Sequence, residues 1–151
     1  MFPRLFTIKR VLAVERSIFM NHPSHFQPQQ IVGLDCQNTC LYAEVIQVVT
    51  MRQMCWVRPL MLVEINPSFE ETEESPILSD LRQGSDLILP MSLFRAALDT
   101  EVIPLLMQLD VSQNKTTPIL AHKDLQAFIR RVWQLTPQVF KALKNPAQDT
   151  P

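Results

Sequence analysis

The chain has 151 residues, of which 46% are hydrophobic and 19% are charged, and its formal net charge is −1. This length suffices for one domain with a substantial core, and the near-zero charge gives no general reason to expect nucleic acid or an anionic membrane as partner. Three unevenly spaced cysteines do not form a disulfide framework, so they indicate a reducing compartment.

The first twenty residues differ in composition from the rest of the chain. They hold four basic residues and a single acid, with apolar residues between them. A transit peptide, a surface amphipathic helix and a disordered or mis-called start, with the functional chain beginning at Met20, are all compatible with this composition. We predict a basic extension and a Pro- and Gln-rich linker over residues 1–30, a single globular domain over residues 31–144, and a frayed tail over residues 145–151.

The densest apolar run extends from Cys40 to Ile65, and it is too polar to cross a membrane. The strongly polar residues within it are Glu44, Gln47, Arg52 and Arg58. A membrane helix needs about twenty consecutive, mainly apolar residues, and charges at mid-depth are costly. The run therefore predicts buried strands, and no transmembrane segment is expected.

Alternating apolar residues in this run predict a β-hairpin with strands Leu41–Val49 and Met54–Ile65. The turn between them, Thr50–Gln53, contains no glycine, so a four-residue type I connection is favoured over a two-residue primed turn. Pro59 cannot donate a hydrogen bond to a neighbouring strand, so we expect an edge, a bulge or a bend at that position.

Strict alternation along the hairpin gives one mainly apolar face, the clean face, which also carries Glu44 near its end, and one mixed face. The clean face is predicted to carry Ile46, Val48, Cys55, Val57, Met61 and Val63. The mixed face is predicted to carry Leu41, Ala43, Val45, Gln47, Trp56, Arg58, Leu60 and Leu62. On this mixed face Gln47, Trp56 and Arg58 become near neighbours across the strand pair.

Three further short strands are predicted at Ile31–Cys36, Ile77–Leu81 and Asp86–Leu89. Five short strands with closely spaced turns predict a small antiparallel SH3-like β-barrel. The alternative is an open, curled sheet backed by helices. Both arrangements belong to the α+β class, because the last third of the chain is predicted to be helical and to pack on the strands.

Three helices are predicted in the last third of the chain. The first has apolar residues at helical spacing from Val102 to Leu109, and Pro104 must shorten or kink it. Thr117-Pro118 begins a second helix that runs to about Leu135. Thr136-Pro137 repeats the same start signal for a short third helix.

Basic residues of the second predicted helix form a candidate nucleic-acid surface. Lys123, Arg130 and Arg131 are predicted to lie opposite its apolar stripe. Such a surface can bind phosphates, and RNA-binding barrels of this size exist. No aromatic-basic RNA-binding motif accompanies these residues, and solubility alone also explains them. RNA binding is therefore the alternative function.

An acidic segment lies between the predicted strands. It holds Glu70, Glu71, Glu73 and Glu74, with no basic residue from Pro59 to Leu81. Runs of like charge are usually solvated loops, which is the interpretation we favour. A docking site for a basic partner is the other interpretation.

Motifs for catalysis are absent from the sequence. The two glycines are too few for a nucleotide-binding loop, and neither GxSxG nor HExxH occurs. The acidic residues are scattered, with no spacing that forces two carboxylates together. We predict no cofactor and favour a non-catalytic protein, with an enzyme whose site is assembled from distant residues as a further alternative.

A metal site is not predicted, although one group of residues has the chemistry of a zinc set. Its members are His22, His25, Cys36 and Cys40. The histidines lie in the Pro-rich linker and in the reverse of the usual zinc-finger order. The cysteines flank a turn, where small buried hydrophobic residues are common, so we interpret them as core residues.

Several blocks of the sequence resemble a family of uncharacterised cyanobacterial proteins. The blocks are LYAEVIQVV, CWVRPLMLV, DLRQGSDLILPMSLFRAALDTEVIPLL and FIRRVWQ. The resemblance extends over roughly residues 31–140 and brings no catalytic or ligand motif. It implies a bacterial protein of a photosynthetic cell, located in the cytoplasm or peripheral to the thylakoid membrane.

We predict a non-catalytic protein-interaction module or assembly factor, associated in such a cell with the photosynthetic apparatus. The candidate site residues are Gln47, Trp56 and Arg58 on the mixed face, with Arg95 nearby. Tryptophan and arginine carry much of the energy at protein interfaces, and a guanidinium can stack on an indole. The competing interpretation places Trp56 in the core beneath the helices and pairs Arg58 with Glu44 or Asp86.

Overall fold

The computed structural model describes residues 26–66, 75–112 and 117–144, and within them the chain forms a six-stranded antiparallel sheet and three α-helices. The strands are β1 (Ile31–Cys36), β2 (Thr39–Val49), β3 (Met54–Glu64), β4 (Ile77–Asp80), β5 (Leu87–Pro90) and β6 (Arg95–Ala96). The helices are α1 (Asp99–Val111), α2 (Pro118–Leu135) and α3 (Pro137–Lys144). The predictions for residues 1–25, for Glu70, Glu71, Glu73 and Glu74, and for residues 145–151 concern residues outside these ranges.

The sheet is open, so the α+β class is confirmed and the SH3-like barrel is wrong. The strand order is β4-β3-β2-β1-β6, and β5 pairs with β3 beside β4. β5 pairs with Met54–Val57 and β4 with Met61–Glu64, so both short strands occupy the same edge of β3. The opposite edge ends in the two-residue β6, which pairs with β1. The apolar core therefore lies between the sheet and the helices instead of inside a barrel.

Helices α1 and α2 pack against opposite faces of the sheet. The α1 face carries Cys40, Tyr42, Met61 and Val63, which pack with Val102 and Leu109 of α1. The α2 face carries Val32, Leu34, Leu41, Ala43, Val45, Cys55, Val57 and Leu62, which pack with Ala121, Leu125, Phe128 and Val132 of α2. Because the sheet is covered on both sides, its central strands are apolar on both faces.

Two β-bulges in the hairpin make the predicted faces wrong. Tyr42 pairs with Met61 while Ala43 pairs with Pro59, so Leu60 is an extra residue in β3. In the same way, Ile46 is an extra residue in β2. Each bulge shifts the alternation of its strand by one residue. Residues beyond the bulge therefore point to the face opposite to the one that strict alternation predicts.

The local signals at the hairpin turn, at Pro59 and at the start of α2 are confirmed. Thr50–Arg52 form a short 3₁₀ turn, and Gln53 completes it in the left-handed conformation with φ of 52°. Pro59 lies at a bulge, between the part of β3 that pairs with β5 and the part that pairs with β4. At the start of α2, the Thr117 hydroxyl accepts a hydrogen bond from the Leu120 amide at 3.4 Å.

The folded region begins before Ile31, the predicted boundary. Phe26 is buried in the core on the α2 face, where its side chain is 6% exposed. The Gln29 amide donates to the Val45 carbonyl, and the Val45 amide donates to the Gln30 carbonyl, each at 2.8 Å. Residues 26–30 therefore continue the pairing of β1 with β2.

Candidate functional site

The structure brings Gln47, Trp56 and Arg58 together on the α1 face of the sheet. Gln47 pairs directly with Trp56, and Glu44 pairs with Arg58, across β2 and β3. Cys55 and Val57 belong to the core on the α2 face, so Trp56 and Arg58 point to the opposite side. The predicted neighbourhood of these three residues is therefore present, although the apolar residues that share their face differ from those predicted.

Asp86 holds the Trp56 and Arg58 side chains in place. Its Oδ2 accepts a hydrogen bond from the indole Nε1 of Trp56 at 3.0 Å, and its Oδ1 accepts one from Nε of Arg58 at 3.1 Å. The hydrogen bond from Arg58 holds the pKa of Asp86 below its usual value. Because both side chains are solvated, this ion pair adds little to stability, and its main effect is to orient the indole.

A partly apolar surface remains exposed around Trp56, Arg58 and Asp86. Trp56 is 37% exposed, and Ile88 of β5, which pairs directly with Trp56, is 61% exposed. We call the five side chains Gln47, Trp56, Arg58, Asp86 and Ile88 the β3–β5 surface. The competing interpretation places Trp56 in the core beneath the helices and pairs Arg58 with Glu44 or Asp86. It is correct for Arg58, which pairs with Asp86, and wrong for Trp56, which is not buried beneath the helices.

Arg95 lies far from Trp56, contrary to the prediction. It belongs to β6, which is separated from β3 by β2 and β1. Neighbouring strands are about 4.8 Å apart, so the two backbones are roughly 14 Å apart across the sheet. The Nε of Arg95 donates to Asp35 at 2.6 Å, and its Nη2 donates to Glu101 at 2.7 Å. Tyr42 also donates its hydroxyl hydrogen to Glu101.

We call these four residues the Arg95 network: Asp35, Tyr42, Arg95 and Glu101. The network joins three strands to the start of α1. The side chains of Arg95 and Glu101 are 14% and 5% exposed. Burial alone lowers the pKa of Arg95, but its hydrogen bonds to Glu101 and Asp35 outweigh that effect and raise it. Burial raises the pKa of Tyr42 well above its usual value, so Tyr42 acts as a neutral donor. All four groups are engaged with one another, which indicates a structural role.

The basic residues of α2 do not form one surface. Lys123 and Arg130 are exposed on the outside of the helix. Arg131 is partly buried, and it lines a cavity between α2 and the sheet. The predicted position of Arg131 on the outer side of the helix is therefore wrong, and the candidate phosphate-binding surface loses one of its three cations.

The candidate zinc set is divided by the sheet. Cys36 belongs to the core on the α2 face and Cys40 to the core on the α1 face, and both thiols are free and buried. His22 and His25 lie outside the described residues. In the ranges 26–66, 75–112 and 117–144, no three histidine, cysteine or acidic side chains converge as a metal site would require.

Comparison of the chain with protein-family models, with curated proteins and with solved structures finds no match. Among the helices of the described residues, none combines the length and the apolar character that crossing a membrane requires.

The β3–β5 surface contains no nucleophile and no paired carboxylates, so its chemistry suits binding better than catalysis. Sequence reasoning missed Ile88 as a member, because only the register of β5 on β3 brings it to Trp56.

Proposed function

We propose that this chain is a non-catalytic protein-interaction module that binds a partner protein through the β3–β5 surface, with Trp56 as the central contact. The observation that carries the proposal is the exposed pair of Trp56 and Ile88 on a face whose other half is covered by α1. An indole held by a hydrogen bond to Asp86 loses little conformational freedom on binding. Tryptophan in such a position is a typical interface anchor.

Helix α1 supports the same class of function. Its side chains Ile103, Met107 and Val111 are 53%, 64% and 80% exposed. They are spaced i, i+4 and i+8, so they form one stripe on the outer side of the helix. A helix that is apolar on its outer side as well as its inner side is usually covered by another element. The stripe therefore adds apolar contact area on the side of the sheet that carries Trp56.

The test is affinity purification of the tagged full chain from a cyanobacterial cell, followed by binding measurements with the purified partner. Trp56→Ala should raise the Kd about thirtyfold, because loss of a central aromatic contact typically costs ~2 kcal/mol. Trp133→Ala is the matched control, since Trp133 is 49% exposed but stacks on Phe140 away from the β3–β5 surface. Both variants must melt near the parent. Equal binding by the parent and a folded Trp56→Ala variant would refute the proposal.

RNA binding through α2 is the second candidate function. It is favoured by the exposure of Lys123 and Arg130 on the outside of the helix. Recovery of RNA with the tagged chain, lost on Lys123→Glu/Arg130→Glu but retained on Trp56→Ala, would establish this function in place of the first. Association with the photosynthetic apparatus would follow only if the partner recovered belongs to that apparatus.

A further inference from the structure

The outer side of helix α1 carries a row of side chains that the described residues leave exposed. Three of them, Ile103, Met107 and Val111, are apolar. Asp99 begins the same row four residues before Ile103, and it is also exposed. Among the described residues no cation pairs with Asp99, whereas Asp110 near the other end of the helix pairs with Arg82 at 2.7 Å. We call Asp99, Ile103, Met107 and Val111 the α1 surface, which is apolar along most of its length and acidic at its start.

A second copy of the chain fits the α1 surface poorly. The charged residues of α1 are Asp99, Glu101 and Asp110, and the helix contains no basic residue. Two copies packed along this helix would therefore bring like charges together, which opposes association. A cover of suitable chemistry is apolar and basic.

One segment of this chain outside the described residues has that chemistry. Residues 1–20 hold several large apolar side chains together with four basic residues and a single acid. Residues 67–74 contain four glutamates, which α1 would repel, and residues 145–151 contain no large apolar side chain. Residues 113–116 are a short polar stretch. The N-terminal segment is therefore the complementary one.

The N-terminal segment enters the described structure near the start of α1. The Ile31 carbonyl accepts a hydrogen bond from the Ala97 amide at 3.0 Å, and Ala97 lies two residues before α1. Phe26 is buried on the α2 face, so residues 21–25 must pass around the sheet to reach the other side. Five extended residues span up to about 17 Å. The outer side of a helix packed on a sheet is about 15 Å from the sheet, so the segment is long enough.

We propose that residues 1–20 bind along the α1 surface of the same chain, with apolar side chains on Met107 and its neighbours and a basic residue beside Asp99. A short flexible tether gives an effective concentration of the order of millimolar, so even a contact of modest affinity is populated. This inference goes beyond the proposed function, because the contact lies within one chain and leaves Trp56 and Ile88 to the partner. A partner that also binds α1 must displace the segment.

Oxidation of methionine by hydrogen peroxide, followed by peptide mass spectrometry of the full chain, tests the proposal. Met107 and Met51 are 64% and 97% exposed, so without a cover they should oxidise at rates within about twofold of each other. A segment bound for about 90% of the time slows Met107 about tenfold, because only the open fraction reacts. Oxidation of Met107 at least about threefold slower than that of Met51 supports the proposal, and a smaller difference overturns it.

Variants within the segment show what covers Met107. Ile8→Ser/Leu12→Ser should restore rapid oxidation of Met107, because it removes apolar contacts. Thr7→Ala/Ser17→Ala is the matched control and should leave Met107 slow, because it removes only hydroxyl groups. Equal protection in the parent and in Ile8→Ser/Leu12→Ser would overturn the proposal.

Two further readouts complete the experiment. Met61 is fully buried, so its slow oxidation in every variant shows that the domain stays folded. Protection of Met107 should be the same between about 1 and 100 µM protein, because a contact within one chain does not depend on concentration. Protection that disappears on dilution would assign the cover to a second copy and overturn the proposal.

Discussion

The guanidinium group of Arg95 lies directly against Gly33, in the space that a larger residue on β1 would need. A Cβ atom at residue 33 would lie 3.1 Å from Cζ of Arg95. Arg95 cannot easily move away, because Asp35 and Glu101 hold its guanidinium from two sides. A Cβ atom at residue 33 would therefore force the guanidinium to shift by a few tenths of an ångström. The constraint is one of space and not of backbone angle, since the described glycines have no positive φ.

Gly33→Ala should destabilise the protein by about 1–3 kcal/mol, because the added methyl group forces the Arg95 network to shift. Urea unfolding of the full chain measures this change. The control is Gly84→Ala, at an exposed turn where the new Cβ would approach the Leu81 carbonyl to 3.3 Å. That variant should change stability by less than about 1 kcal/mol, because an exposed turn can adjust and alanine restricts the unfolded chain. A Gly33→Ala variant as stable as the parent would show that the guanidinium is free to move.

Loss of the Arg95 guanidinium should cost more than loss of the Tyr42 hydroxyl. Arg95→Met removes the guanidinium that bridges the largely buried carboxylates of Asp35 and Glu101, and breaking such a buried ion pair typically costs about 3–5 kcal/mol. Tyr42→Phe removes one donor to Glu101 and keeps the ring, so about 1.5–3 kcal/mol is expected. Urea unfolding of both variants measures the order. The reverse order would contradict the assignment of Arg95 as the centre of the network.

Apart from the two-residue β6, the strands and helices of this fold follow from local sequence signals, but the faces of the hairpin do not. Pro59 and the glycine-free turn at Thr50 are visible in the sequence, and each marks the feature found in the structure. The extra residues Ile46 and Leu60 are apolar and carry no signal of a bulge. Since one bulge reverses the face of every residue beyond it, an alternation rule extended across both bulges groups the wrong residues.

From the sequence, only those site residues that are neighbours on the β2–β3 hairpin could be predicted to lie together. Gln47, Trp56 and Arg58 come together because the turn fixes the register of two adjacent strands. Arg95 depends on β6, a two-residue strand whose pairing with β1 is formed across a long sequence separation. No periodicity can reveal such a short strand, so the position of Arg95 required the structure.

The three cysteines should react slowly in the folded protein. Burial raises the pKa of Cys55 to about 11, and it also raises the pKa of Cys36 and Cys40. Since the thiolate is the reactive form, Ellman's reagent at pH 8 should modify the native chain far more slowly than the chain in guanidinium chloride. Rapid modification of the native chain would show that at least one thiol is accessible, contrary to the structure.

The raised pKa of Cys55 also predicts a pH dependence of stability. The folded state binds the thiol proton more tightly than the unfolded chain, whose cysteine pKa is about 8.5. The resulting stabilisation is therefore complete below about pH 8.5 and is lost as the pH rises towards the folded value of about 11. The difference in unfolding free energy between the parent and Cys55→Ala should accordingly shrink between pH 8 and pH 10.5. A constant difference would mean that the thiol titrates alike in both states.

Salt dependence separates the two candidate functions of the chain. Phosphate binding through Lys123 and Arg130 would release counterions, so the logarithm of the binding constant would fall by roughly 0.7 for each phosphate contact per tenfold increase in salt on single-stranded RNA. Binding of a protein at Trp56 and Ile88 buries mainly apolar groups, so we expect the Kd of the partner to change little between 50 and 200 mM salt. Fluorescence anisotropy with a labelled partner and with a labelled single-stranded RNA measures both slopes.

The double variant Lys123→Glu/Arg130→Glu should leave partner binding within about twofold of the parent, because both residues lie on the α2 side of the sheet. A steep salt slope for the partner, abolished by this double variant, would contradict the proposed β3–β5 surface.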